Sequence, residues 1–138
     1  MNILAALDQS EAAKTVLATA VATAKEKGAQ LTLFTVAEDF MDIGDFMDSA
    51  SVSEKFLAAS QKAMEEARQA AKAMGVEAKA VTAQGVSPAD IIVRQAAENG
   101  VDLIIMGSRG KSAIDRFLIG SVTSKVVAHA PCSVLVLR

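Results

Sequence analysis

The chain has 138 residues and 51% of them are hydrophobic, which predicts one domain with a substantial buried core. Its net charge of -2 and its lack of Trp and Tyr argue against a nucleic-acid surface, which needs basic and stacking side chains. A single cysteine leaves no internal disulfide, and no apolar run approaches the roughly 18 residues of a membrane span. We therefore expect a cytoplasmic protein with no nucleic-acid or membrane partner.

The first half of the chain predicts a strand, a helix and a second strand. Ile3 to Leu7 is a short apolar run typical of a strand, and it lacks the basic start of a signal peptide. Asp8 or Ser10 can cap the following helix, since both side chains accept hydrogen bonds from free N–H groups. That helix ends at Lys27-Gly28, and its apolar stripe is Ala12, Ala13, Val16, Leu17, Ala20, Val21 and Ala24. Leu31 to Val36 predicts the second strand.

An irregular segment from Glu38 to Asp48 alternates acidic residues with Phe, Met and Ile. Carboxylates at this spacing can bind a metal, but no His or Cys joins them, and the apolar side chains between them need a surface to cover. We therefore favour a mobile amphipathic lid or a contact with a protein partner, and a metal site is the alternative.

A long helix, a third strand and a third helix follow. Ser53 is predicted to cap the long helix and Gly75 to end it. Val76 to Ala83 alternates apolar and polar residues, which favours a strand near the edge of a sheet. Ser87-Pro88-Ala89-Asp90 begins the third helix, which ends at Asn99-Gly100. The stripe of the long helix that we expect to face the core is Leu57, Met64, Ala67, Ala71 and Met74.

The last third of the chain predicts a buried strand from Leu103 to Met106, a helix from Ser121 to Ala130 and a strand from Ser133 to Leu137. The whole pattern alternates strands with helices, so it predicts an α/β fold with right-handed crossovers. We expect one domain over residues 1–138, with a doubly wound, five-stranded parallel sheet covered by helices on both faces. The predicted strand order is third, second, first, fourth, fifth.

A glycine pattern follows the fourth strand: Gly107-x2-Gly110-x9-Gly120-Ser121. A glycine lets the backbone approach a ligand, and a helix beginning at Gly120-Ser121 directs free N–H groups and its positive dipole end at an anion. Arg109, Lys111 and Arg116 lie between the glycines, so the pattern predicts a phosphate site. The alternative is that the glycines serve only as turn and cap residues. A P-loop is excluded, because the position five residues before Gly110 holds Ile105.

This glycine spacing resembles the nucleotide-binding signature of the universal stress protein family, in its ATP-binding branch. The similarity covers the whole chain, from Ile3 to Asp8, through Gly85-x-x-Pro88, to the segment from Ala130 to Val134. The resemblance implies an adenine nucleotide as cofactor (ATP, ADP or AMP), a homodimeric stress-response or signalling module, and main-chain contacts to ribose and phosphates. It also implies that Thr35, Val36 and Ala37 line the adenine.

The predicted strand order brings the end of the first strand next to the glycine pattern, at the switch point where ligands of such sheets bind. Asp8 could there accept hydrogen bonds from ribose hydroxyls or help to hold magnesium with the phosphates. The residues that we expect at the nucleotide are Ala6, Leu7, Asp8, Ser10, Val36, Ala37, Met106, Gly107, Ser108, Arg109, Gly110, Gly120, Ser121, Val122 and Thr123.

The last strand, Val134 to Leu137, is apolar and has no later element to cover its outer edge, so it predicts a two-fold dimer through this strand. Catalysis is expected to be slow ATP hydrolysis at most, since no residue is evident that orients a water. His129 and Cys132 are expected to be structural. The alternatives are a nucleotide-free interaction protein, a receiver domain, which lacks its strand-end aspartate here, and a flavin protein, which lacks aromatic residues to stack on the ring.

Overall fold

The computed structural model describes residues 1–38, 49–108 and 119–138, and strands alternate with helices along these ranges. The predicted alternation is therefore confirmed. The elements are β1 (Asn2–Ala6), α1 (Ala12–Lys27), β2 (Gln30–Glu38), α2 (Ser49–Ala73), β3 (Lys79–Gly85), α3 (Pro88–Glu98), β4 (Leu103–Gly107), α4 (Ser121–His129) and β5 (Ser133–Leu137). Among the described helices, none combines the length and the apolar character needed to cross a membrane.

All strand pairings in the sheet are parallel, and the strand order is β3-β2-β1-β4-β5, as predicted. β1 lies at the centre, with Leu4 level with Thr32 of β2 and with Ile104 of β4. β3 pairs with β2 alone among the described strands, which confirms the edge position inferred from its alternating sequence.

Helices cover both faces of the sheet, so the fold has three layers. Alternate residues of a strand point to opposite faces, and β1 accordingly sends Ile3 and Ala5 to one side and Leu4 to the other. The first side packs against α1 and α2, and its core includes Val16, Ala20, Val21, Leu33, Met64 and Ala71. The second packs against α3 and α4, and its core includes Phe34, Ala89, Ile92, Ile104, Met106 and Val126.

Three helices turn into the next strand through a glycine with a left-handed backbone. Gly28, Gly75 and Gly100 have φ of 60°, 96° and 60°, values that cost a residue with a Cβ roughly 1 kcal/mol. The first of them caps α1, and its N–H donates to the carbonyl groups of Ala24 and Lys25. The glycine endings predicted for these helices are therefore confirmed.

Several predicted boundaries are wrong by a few residues. α2 begins at Ser49, so Ser53 lies inside the helix instead of capping it. The third strand begins at Lys79 because a hydrogen-bonded turn comes first, in which the N–H groups of Gly75 and Val76 donate to α2 carbonyls. Met74, predicted to face the core, lies in this turn and is 38% exposed.

Candidate functional site

The candidate site lies at the carboxyl ends of β1 and β4, where the two crossovers leave the sheet in opposite directions. Ala5 is level with Ile105, so continuing this register brings Leu7 level with Gly107. The structure therefore brings together the two segments that the sequence analysis connected, although they lie about 100 residues apart. Adjacent strands that diverge at this point leave a crevice, which is the usual ligand position in such sheets.

Asp8 follows the end of β1 and stabilises the turn into α1. Its Oδ1 accepts a hydrogen bond from the Ser10 N–H at 2.9 Å and another from the Ser10 hydroxyl. The N-cap of α1 is Glu11, and among the described residues no side chain makes a cap hydrogen bond there. The prediction that Asp8 or Ser10 caps the helix is wrong, because Asp8 bonds to Ser10 instead. The Asp8 side chain remains exposed beside the crevice.

The beginning of α4 lies against the end of β4. Gly120 is its N-cap, and the Gly120 N–H donates to the Ser108 carbonyl at 2.6 Å. Within the described ranges, no acceptor is bonded to the N–H groups of Ser121, Val122 or Thr123, as is usual in the first turn of a helix. In the described part of the chain, three donors and the positive end of the helix dipole therefore face this edge of the sheet, an arrangement that suits an anion.

A buried hydroxyl fixes the first turn of α4 to β4. Thr123 is 3% exposed, and its Oγ1 donates to the Gly107 carbonyl at 2.7 Å. The sequence analysis includes Thr123 among the residues expected at the nucleotide. In the structure its hydroxyl bonds to the backbone, so Thr123 supports the first turn from behind.

The end of β2 offers free backbone groups toward the same crevice. Neighbouring residues of a strand direct their N–H and C=O groups to opposite sides, and the Phe34 carbonyl accepts from the Leu7 N–H of the β1 side at 2.8 Å. The backbone groups of Val36 therefore also face the β1 side, beyond the end of that strand. Among the described residues none bonds to them. Thr35 donates its hydroxyl to the Leu7 carbonyl at 2.6 Å, which holds the ends of the two strands together.

An ion pair connects α4 to α3. Lys125 Nζ lies 3.0 Å from Asp90 Oδ1, and Asp90 Oδ2 accepts from the Ser87 hydroxyl at 2.8 Å. The Ser87 hydrogen bond, and secondly the Lys125 ammonium, lower the pKa of Asp90. Ser87 lies at the N-cap of α3, but its hydroxyl bonds to the Asp90 carboxylate and makes no cap hydrogen bond.

The remaining predicted site residues divide into buried, exposed and undescribed ones. The side chains of Leu7, Ala37, Met106 and Ser108 are buried. The exposed Ser121 and the half-buried Ala6, Val36, Gly107, Gly120 and Val122 are accessible to a ligand. Arg109, Gly110, Lys111, Arg116 and the acidic segment beyond Glu38 lie outside the described residues. The sequence analysis missed the Asp90–Lys125 pair and the two carbonyl partners of the threonines. For Thr35 the available signal was its position near the end of the apolar run from Leu31 to Val36.

Cys132 is a half-buried free thiol. Burial, and secondly the Asp102 carboxylate, raise the pKa of the Cys132 thiol. Among the residues that the structure describes, no group of three or more His, Cys, Asp and Glu side chains is arranged to hold a metal ion.

The fold defines an α/β protein in which the N-terminus of a helix lies beside the switch-point crevice. A sequence model of the universal stress protein family matches residues 1–138, and the chain belongs to this family. A putative universal stress protein of Staphylococcus haemolyticus is 36% identical over 99% of this chain and 84% of its own length. The universal stress protein UspA of Lactobacillus plantarum has the same fold, with a TM-score of 0.90 and 31% identity over 100% of this chain and 97% of its own.

Two other solved structures with this fold contain nucleotides. One is a universal stress protein in complex with cAMP, with a TM-score of 0.76 and 23% identity, covering 100% of this chain and 97% of its own. The other is the universal stress protein of Archaeoglobus fulgidus in complex with dAMP, with a TM-score of 0.67 and 24% identity, covering 100% of this chain and 98% of its own. At these identities the likeness establishes the shared fold.

Proposed function

We propose that this universal stress protein binds an adenine nucleotide, with ATP as the expected ligand, and acts as a homodimeric stress-response or signalling module. The observation on which the proposal chiefly rests is the first turn of α4, where three backbone N–H groups lie beside the switch-point crevice. An anion is the natural partner of such a turn. The cAMP and dAMP complexes of two proteins with this fold support a nucleotide as that anion.

The phosphate end of the nucleotide would lie against α4. The N–H groups of Ser121, Val122 and Thr123 would donate to phosphate oxygens, and the exposed Ser121 hydroxyl would add another donor. Backbone donors bind phosphate without the strong charge of a lysine cluster, so this contact is compatible with the chain's net charge of -2. The predicted cations Arg109, Lys111 and Arg116 would supply the remaining positive charge.

The adenine would lie beyond the end of β2. Adenine presents amino donors beside a ring nitrogen acceptor, so a backbone C=O and N–H of one residue can bond to both. Val36 is the described residue whose two backbone groups face the crevice without a partner in the described chain. Asp8, between Val36 and α4 in the strand order, would accept hydrogen bonds from ribose hydroxyls.

Magnesium would be held at this site together with the nucleotide. Asp8 Oδ1 accepts from Ser10, which leaves Oδ2 of the same carboxylate for a cation or a ribose hydroxyl. Magnesium prefers several oxygen ligands, and triphosphate oxygens and waters would provide the rest. The ion would neutralise phosphate charge, while the residues of the chain orient the nucleotide.

The dimer would form through β5, which lies at the end of the sheet opposite β3 and pairs with β4 alone in the described chain. An unpaired edge exposes backbone donors and acceptors that a second copy can satisfy. Leu135 on this strand is 39% exposed, so apolar surface accompanies the edge. Equilibrium sedimentation would test the dimer, which a charged residue at Leu135 should weaken.

The test of the proposal is to release bound small molecules from freshly purified protein with acid, identify them by mass spectrometry, and titrate the emptied protein with ATP. Gly120→Val adds a side chain at the N-cap of α4 and should weaken ATP binding at least about tenfold. Gly100→Asn is the matched control, because it alters a glycine at the opposite edge of the sheet, with open space around it and a φ that Asn tolerates. Folded wild-type protein that neither retains nor binds an adenine nucleotide would refute the proposal and favour a nucleotide-free interaction protein.

A further inference from the structure

The Gly107 carbonyl lies at a position where its oxygen would repel a bound anion. It is the last carbonyl of β4, at the edge of the sheet where α4 begins. A carbonyl oxygen has a negative partial charge, whereas the adjacent first turn of α4 attracts negative charge. The carbonyl therefore weakens the attraction of the helix end for an anion, unless the carbonyl oxygen accepts a hydrogen bond.

The described structure provides that donor in Thr123. The hydroxyl lies 2.7 Å from the Gly107 oxygen, and the threonine is 3% exposed, so water competes little for this bond. Because Thr123 is the third residue of α4, the bond also sets the distance between the end of β4 and the N–H groups of the first turn.

We propose that Thr123 is a positioning residue for the phosphate end of the site. Its hydroxyl offsets the partial negative charge of the Gly107 carbonyl oxygen and holds the first turn of α4 in a fixed position against the end of β4. This inference rests on the proposed nucleotide-binding function and adds to it. Without the hydroxyl, a carbonyl oxygen that accepts no hydrogen bond would lie beside the bound anion. Its repulsion of the ligand would grow with the negative charge of the ligand.

The chain contains a matched comparison in Thr35. This residue makes the same type of bond, from a buried hydroxyl to the Leu7 carbonyl at 2.6 Å, but it does so between β2 and β1, away from α4. Replacing either threonine by valine removes one buried hydroxyl bond to a strand-end carbonyl. Only the bond of Thr123 lies at the helix end that attracts phosphate.

The experiment titrates wild type, Thr123→Val, Thr123→Ser and Thr35→Val with adenosine, AMP, ADP and ATP at constant ionic strength. Thermal unfolding of each variant establishes the temperature range in which it remains folded. We expect Thr123→Val to weaken ATP binding about tenfold and adenosine binding about twofold or less, with AMP and ADP in between. Thr123→Ser should restore ATP binding to within about threefold of wild type, because the donor is kept. Thr35→Val should change all four affinities by a similar factor.

Two results would overturn the inference. If folded Thr123→Val loses the same factor for all four compounds, or loses nothing, the hydroxyl has a structural role only and the proposed nucleotide site stands. If wild type binds none of the four compounds, the proposed function fails and this inference fails with it.

Discussion

Replacing Thr35 by valine should measure how strongly the end of β1 is held to the end of β2. The substitution keeps the branched shape but removes the hydroxyl that donates to the Leu7 carbonyl at 2.6 Å. The residue is 9% exposed, so the carbonyl loses its partner in a site that water reaches poorly. An unsatisfied buried acceptor costs about 1–3 kcal/mol, and the added methyl group returns part of this by burial.

We therefore expect Thr35→Val to lower the free energy of unfolding by about 1–2 kcal/mol, against the 5–15 kcal/mol typical of a domain. The assay is equilibrium denaturation by urea, in which the midpoint should fall while the slope stays constant. Thr35→Ser is the control that keeps the donor and loses only a methyl group, at a cost of about 1 kcal/mol. A Thr35→Val protein as stable as wild type, beside a less stable Thr35→Ser protein, would refute the reasoning, because burial of the methyl group would then outweigh the hydrogen bond.

Three further outcomes follow from single residues. Gly28→Ala should lower the thermal midpoint by a few degrees, about 1 kcal/mol, because φ is 60° with open space around the Cβ, whereas Gly28→Asn should lose less. Arg68, and secondly Gln69, lower the pKa of Glu65 from 4.5 to about 2, so its contribution to stability is present above pH 4.5 and lost as the pH falls toward 2. The thermal unfolding midpoints of Glu65→Gln and wild type should therefore differ at pH 7 and converge near pH 2. Because burial raises the pKa of Cys132, iodoacetamide should alkylate it more slowly at pH 7.5 than it alkylates an unfolded cysteine peptide, and equal rates by mass spectrometry would contradict this.

The sheet could be predicted from the sequence because each of its signals is local. Short apolar runs mark the strands, and glycines such as Gly28 and Gly100 mark the places where helices turn back. The strand order then follows from the alternation and the right-handed crossover. The start of β3 was missed, because the turn after α2 depends on hydrogen bonds to helix carbonyls that composition does not reveal.

The site could be predicted only in outline. The glycine spacing pointed to the start of α4 as the proposed phosphate end, and the strand order brought the end of β1 next to β4. The hydrogen-bond partner of each polar side chain could not be predicted from the sequence. Thr123 bonds to a carbonyl sixteen residues away, Thr35 to one twenty-eight residues away, and Asp8 to its neighbour Ser10 instead of the helix end. A sequence shows which groups can donate or accept, but the choice among acceptors is made by the packed fold.

The two edges of the sheet differ in how they can change. At the amino ends of the strands, left-handed glycines complete tight turns, and Asn2 is held by the side chain of Asp102 and the carbonyl of Gly100. An insertion there would break several bonds at once. At the carboxyl ends, the connections from Glu38 to α2 and from Gly107 to α4 are longer in sequence, and long connections generally tolerate added or exchanged residues better than tight turns do. A lineage can therefore diversify its ligands and partners along one edge while the other preserves the fold.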